Sequence, residues 1–164
     1  MSALGLFSLF VTLSIAVLNF VTAEPELFTA DDGTKFLIEM EPKYNWFEAV
    51  HECGRRGYQL VEVHDGDKHN TLLKSLNTYL GKSTDLWLGA NDQFNDDRDL
   101  KRPFYWTFSG KRMTFSNWSN DNPNNDGGQE HCVHTWEKAD NFGWNDIVCT
   151  YKMGYVCEER PKNC

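Results

Sequence analysis

The densest run of side-chain oxygens lies between Trp118 and Cys149, where Asn122-Pro123-Asn124 is followed by Glu130 and then by Trp144-Asn145-Asp146. Amide carbonyls and carboxylates suit a hard divalent cation, because calcium takes about six to eight oxygen ligands and mixes amide, carboxylate and backbone donors. Zinc would need histidine or thiolate, and the cysteines of this chain are better used as disulfides. Pro123 adds geometry: cis peptide bonds are nearly confined to proline, and one before Pro123 would turn Asn122 and Asn124 toward the same side. By composition alone, the same Asn-, Asp- and Gly-rich stretch also reads as a solvated loop.

Catalytic chemistry finds little support. The chain has no nucleophile elbow, phosphate loop or His-Glu-x-x-His zinc motif. The five histidines are scattered, with His131 and His134 flanking Cys132 and Val133. Glu130 and Asp146 could pose as a glycosidase pair, but they serve better as cation ligands. The sequence therefore points to a binding protein. Its net charge of −8 excludes nucleic acid and anionic membrane as generic partners, since both repel an acidic surface.

The elements that must position these residues are short. Phe36 to Met40 reads as a strand stopped by Pro42, after an aperiodic lead from Glu24 to Lys35. Asn45 caps a helix with Trp46, Ala49, Val50 and Cys53 on one face, ended by Gly57. Leu60, Val61 and Val63 make a brief strand. Asp65 or Asp67 caps a second helix whose buried stripe is His69, Leu72, Leu73, Leu76 and Leu80, closed by Gly81. Further strands fall at Trp87–Ala90, Phe104–Thr107, Cys132–Trp136 and Tyr155–Glu158. The charged run Asn95 to Arg102 reads as a solvated loop edge, and Trp87, Trp106, Trp118 and Trp144 as core or loop anchors. Two helices, short strands and long anchored loops make an α+β domain, and such loops are candidate binding loops.

Residues 1–23 are uncharged and apolar and end in Val21-Thr22-Ala23, the pattern of a cleaved secretory signal peptide; an uncleaved signal anchor is the other reading. The expected destination is secreted and extracellular, with no later segment inserting into a membrane. In that setting Cys53, Cys132, Cys149, Cys157 and Cys164 should pair. Four of them permit three pairings, and the fifth, most simply Cys164, is left as a free thiol, a capped thiol or a bridge to a homo-oligomer. Asn117-Trp118-Ser119 is a glycosylation acceptor.

Over residues 30–160 the sequence resembles the C-type lectin domain. The matching residues are Trp87-Leu88-Gly89, Phe104-Tyr105-Trp106, Phe115-Ser116-Asn117-Trp118, Asn122-Pro123-Asn124-Asn125, Glu130-His131-Cys132, Trp144-Asn145-Asp146 with Cys149, and Tyr155-Val156-Cys157-Glu158. The resemblance implies the short form of the fold, two helices with antiparallel strands and a long loop region. It also implies disulfides Cys53–Cys157 and Cys132–Cys149. A primary calcium ion would be held by Asn122, Asn124, Glu130, Asn145 and Asp146, with two vicinal sugar hydroxyls completing its shell. An auxiliary calcium would take Asp92, Asp96, Asn125 and Glu130. Carbohydrate would be the partner, with innate recognition of microbial or host glycans as the setting.

The chain departs from the family pattern at the proline loop. Mannose-type members carry Glu-Pro-Asn and galactose-type members Gln-Pro-Asp, whereas this chain has Asn-Pro-Asn. One carboxylate is lost, so calcium should bind more weakly, while Asn124 keeps the mannose-type identity. At the auxiliary site His131 and Asn125 replace the common Asp residues. These losses leave a second reading open, a protein-binding module of the same fold without calcium-bridged sugar. An acid-sensitive role for His131 is a further expectation.

Overall fold

The computed structural model describes residues 24–95 and 101–161. The expected leader, Asp96 and Cys164 lie outside the described residues.

The chain enters through β1 (Glu26–Thr29), which pairs antiparallel with β2 (Lys35–Tyr44). Helix α1 (Trp46–Arg55) starts at Asn45 with a full capping box: the Asn45 side chain accepts from the Glu48 N–H and the Glu48 carboxylate accepts from the Asn45 N–H. After β3 (Tyr58–Leu60), Asp65 caps α2 (Gly66–Leu80), and Gly81 closes it in the left-handed conformation at φ 69°. Strands β4 (Leu86–Asn91), β5 (Tyr105–Trp106), β6 (Cys132–Thr135), β7 (Trp144–Ile147) and β8 (Met153–Glu159) complete one sheet in the order β1-β2-β8-β4-β6-β7. β4 runs parallel to β8; the other pairings are antiparallel.

Side-chain alternation sorts the central strands into two cores. Phe36, Ile38, Leu86 and Leu88 join Leu72 and Leu76 of α2, while Leu37 and Trp87 join Trp46, Ala49 and Cys53 of α1. The helices therefore cover opposite faces. Both disulfides, Cys53–Cys157 and Cys132–Cys149, are formed and lie on the α1 face. The first closes 104 residues and ties α1 to β8.

Three expectations need correction. The brief strand expected on Leu60, Val61 and Val63 is Tyr58–Leu60, with Val61 and Val63 buried beyond its end. The lead before Lys35 contains a strand, β1, whose mostly exposed residues carry no periodic signal. β2 does not stop at Pro42 but runs to Tyr44, because its register with β8 shifts between Glu39 and Tyr44. Proline is tolerated where no ladder N–H is needed.

Candidate functional site

β7 presents the site. Trp144 is buried, with edge-on contacts to Trp106, Trp118 and Phe115 at ring separations of 6.1–6.2 Å. Its backbone is pinned on both sides: the N–H donates to Asn117 O at 2.8 Å, and its carbonyl accepts from Ser119 N and Ser119 Oγ, each at 2.9 Å. The next residues, Asn145 and Asp146, are thus fixed in place by an aromatic anchor.

The Asp146 carboxylate is the hub. Oδ1 accepts from the Asn124 N–H at 2.9 Å, and Oδ2 from the Asn125 N–H at 2.8 Å. The peptide bond Asn122–Pro123 is cis, and the turn that follows is closed by side chains. Asn125 Oδ1 accepts from the Glu130 N–H at 3.0 Å, and Glu130 Oε2 and Asn124 Oδ1 accept from the Asp126 N–H at 2.9 and 3.1 Å. Asn122 Nδ2 donates to Ser119 Oγ at 2.8 Å. The network links Asn124 to Asp146 directly and to Glu130 through the shared Asp126 N–H, and ties Asn122 and Asn145 to either side of the Trp144 anchor.

Asn145 has a partner of its own. Its Nδ2 lies 3.1 Å from Nε2 of buried His134. An amide nitrogen can only donate, so Nε2 accepts, the proton sits on Nδ1, and Nδ1 faces the Asp85 carboxylate at 3.5 Å. Although burial raises the Asp85 carboxyl, His134 and the Glu137 N–H outweigh it and hold it below its ordinary value. His134 so sets which end of the Asn145 amide faces away, leaving Oδ1 as the outward acceptor, while its own Nδ1, 3.5 Å from Asp85, makes no hydrogen bond among the described residues. His134 was not among the residues singled out from sequence. Its position in β6, on the face shared with buried Cys132, was the available signal.

Two features test whether this set suits a cation. Asn122 Oδ1 is buried without a hydrogen-bond donor among the described residues. The Glu130 carboxyl is pushed up to about 7, chiefly by burial, with nearby Asp146 and Asp126 adding to the rise against the Asp126 N–H and Arg102. An acceptor without a donor and a carboxylate short of positive charge fit a hard cation. Among the described residues no three His, Cys, Asp or Glu side chains gather as a metal cluster. The candidate set differs in kind, with only Glu130 and Asp146 charged and the three asparagines supplying amide oxygens.

The auxiliary set looks different. Arg102, expected on a solvated edge, is instead fully buried, with Nε 2.7 Å from Asp92 Oδ2 and Nη2 2.6 Å from Asp146 Oδ2. Nη2 also donates to the Glu130 carbonyl at 2.6 Å. Its partners are 10, 44 and 28 residues away in sequence, so no local pattern could have revealed it. His131 is half-buried, its Nδ1 3.0 Å from both Asp92 oxygens and its ring 5.2 Å from exposed Phe94. Asn117 is half-buried beside the Trp144 anchor.

A mixed sheet between two helices, with asparagine-rich loops closed over an aspartate hub, defines a small α+β domain that carries a set of oxygen ligands on its loops. Residues 42–159 match the family model of the lectin C-type domain. The chain is 44% identical over 144 residues to lectin subunit alpha of Sarcophaga peregrina, covering 88% of this chain and 51% of that protein. It thus spans about half the length of that relative. It is 35% identical to salivary C-type lectin 2 of Aedes albopictus over 92% of this chain and 97% of that one. The cow C-type carbohydrate-recognition domain of CD23, solved in the presence of a GlcNAc2Man3 oligosaccharide, superposes with a TM-score of 0.61 at 25% identity, covering 80% of this chain and 90% of that one. The chain belongs to the C-type lectin family. The two relatives named above are lectins, and lectins bind carbohydrate without catalysis, so carbohydrate binding is the general activity this membership supports.

Proposed function

We propose that this chain is a secreted lectin that binds glycans through one calcium ion and prefers mannose-type sugars, with recognition of microbial or host glycans in innate immunity as its setting. Asn122, Asn124, Glu130, Asn145 and Asp146 would hold the ion, which supplies open coordination positions for two vicinal hydroxyls. The same side chains, held by Asp126, Ser119 and His134, would hydrogen-bond those hydroxyls. The observation that carries the reading is the buried Asn122 Oδ1 without a donor, on the same loop as the charge-starved Glu130.

Two charged ligands give weak calcium binding, in the range of ~10⁻⁴–10⁻³ M typical of extracellular modules. Contact with a single sugar through a bridged ion buries little apolar area. Useful retention therefore needs multivalency, for which Cys164 offers a bridging thiol. Glycosylation at Asn117 belongs to the same secreted setting. The mannose preference rests on Asn124 and on the mannose-containing oligosaccharide present with the CD23 domain.

The test is chromatography of the folded chain on immobilised mannose and galactose in millimolar calcium. Retention on mannose with release by chelator supports the reading. Retention on galactose alone overturns the sugar preference, and flow-through on both favours the protein-binding module.

A further inference from the structure

The positions expected to hold two calcium ions differ in the sign of what they leave unpaired. At the proline loop the buried atom without a partner is an acceptor, Asn122 Oδ1. Around Asp92, among the described residues, the buried atoms without partners are both donors, Arg102 Nη1 and Asn125 Nδ2. A donor cannot ligate a cation. The oxygens there are already engaged: Asp92 Oδ1 accepts from the Phe94 N–H at 2.9 Å, Asp92 Oδ2 from Arg102 at 2.7 Å, and Asn125 Oδ1 from the Glu130 N–H at 3.0 Å. Arg102 bonds Asp146 as well as Asp92, so the guanidinium alone does not separate the two positions; what separates them is that, among the described residues, the proline loop keeps a buried acceptor without a donor, while the cleft around Asp92 keeps only donors.

The guanidinium does what a bound ion would do there. It spans Asp92 after β4, the Glu130 carbonyl on the proline loop and Asp146 on β7, with the side chains of Arg102, Asp92 and Asp146 fully buried. Arginine does not lose its proton in proteins, and its planar fork reaches several oxygens at once. Arg102 also lies over the Phe104 ring at 4.9 Å, which shields it from water.

We propose that Arg102 is the built-in cation of the binding loops: it replaces the auxiliary calcium ion and holds the proline loop in its binding shape whether or not metal is present. It is a positioning residue, acting on the site through Asp146 and Glu130. The inference takes the identity of the primary site from the function proposed above, but the ordering of the loop by Arg102 does not depend on it.

The test uses the full chain and two readouts, calcium bound per chain by equilibrium dialysis, and hydrogen exchange at the Asn124 and Asn125 amides, which donate to Asp146. Exchange of these amides should differ by less than about twofold between millimolar calcium and chelator, because the loop is ordered without the ion. No second calcium should bind. Two ions per chain, or exchange about tenfold faster in chelator, would overturn the proposal. Arg102→Gln should make protection of both amides depend on calcium, whereas Arg102→Lys, which keeps the charge, should restore part of it in chelator. A purely structural arginine would instead lower protection equally with and without calcium. If Arg102→Gln fails to fold, the native chain and Arg102→Lys still decide the matter. Slow exchange in chelator with no ion bound at all would sink the calcium reading of the primary site while leaving Arg102 in its role.

Discussion

The half of the molecule built on β1, β2, α1, α2 and β8 and the half built on β5, β7 and the proline loop are held by different forces. In the first, backbone ladders and helix caps satisfy the main chain, and Cys53–Cys157 fastens α1 to β8. In the second, the main chain from Asn124 to Glu130 is satisfied largely by side chains: Asp146, Asn125, Glu130 and Arg102 stand in for a ladder. A ladder depends on no one residue, whereas the second half converges on Asp146, which carries three bonds from Asn124, Asn125 and Arg102. Damage to the first half should therefore cost stability and spare ligand binding by the molecules that remain folded. Damage to the second should cost both.

The largest effect that would sharpen this contrast is removal of Cys53–Cys157. Freeing a loop of 104 residues should lower unfolding free energy by about 4–5 kcal/mol on the chain-entropy account. The double Cys→Ala variant, followed by urea unfolding, should still be retained on a mannose column below its midpoint. Next comes Asp146→Ala, which takes one of two carboxylates from the buried Arg102, leaves it Asp92, and strips the Asn124 and Asn125 N–H groups of their acceptor; it should cost about 2–4 kcal/mol. This variant should also lose retention on the column at temperatures where it is fully folded by circular dichroism. Equal losses of binding in the two variants would break the comparison.

How much of this was legible in the sequence follows the same division. Asn45 with Gly57 and Asp65 with Gly81 are local signals, and they bracket the two helices, Trp46–Arg55 and Gly66–Leu80. Trp144 next to Asn145-Asp146 marked the loop anchor through its resemblance to the family. What stayed hidden depends on long-range meeting of side chains. Arg102 reads as one charge in a polar run, and only the fold brings it to Asp146, 44 residues on. β1 was invisible for the opposite reason: its exposed residues bury little, so hydrophobic alternation cannot announce it.

Smaller effects sharpen the contrast further. His134→Leu removes the group that orients the Asn145 amide, and loss of such an outer partner typically weakens metal affinity about tenfold. Calorimetric calcium titration should show that loss, and His134→Gln, which can still accept from Asn145, should recover part of it. Asn45→Ala removes one arm of the α1 capping box and should cost about 1 kcal/mol of stability, with calcium affinity unchanged.

The smallest effect concerns pH and the aromatic layer that joins the two halves. His69 packs its ring 5.5 Å from Phe115 and 6.1 Å from Trp144, and burial lowers its pKa. The unfolded chain then takes up the proton more readily than the folded one. Stability contributed by neutral His69 is complete above about pH 6.5 and is lost as pH falls from there toward its depressed folded value. Glu130 acts in the opposite sense. Its raised pKa of about 7 makes the calcium-free fold gain stability as pH falls toward the ordinary carboxylate range. A single profile would mix the two, so the informative quantity is the difference between the native chain and His69→Leu, measured by urea midpoint in chelator between about pH 7.5 and 5.5. The native chain should lose stability relative to the variant as the pH drops across that window. A constant difference would mean that the His69 ring is protonated as easily in the fold as outside it, and that the layer between scaffold and loops is more open to water than its packing implies.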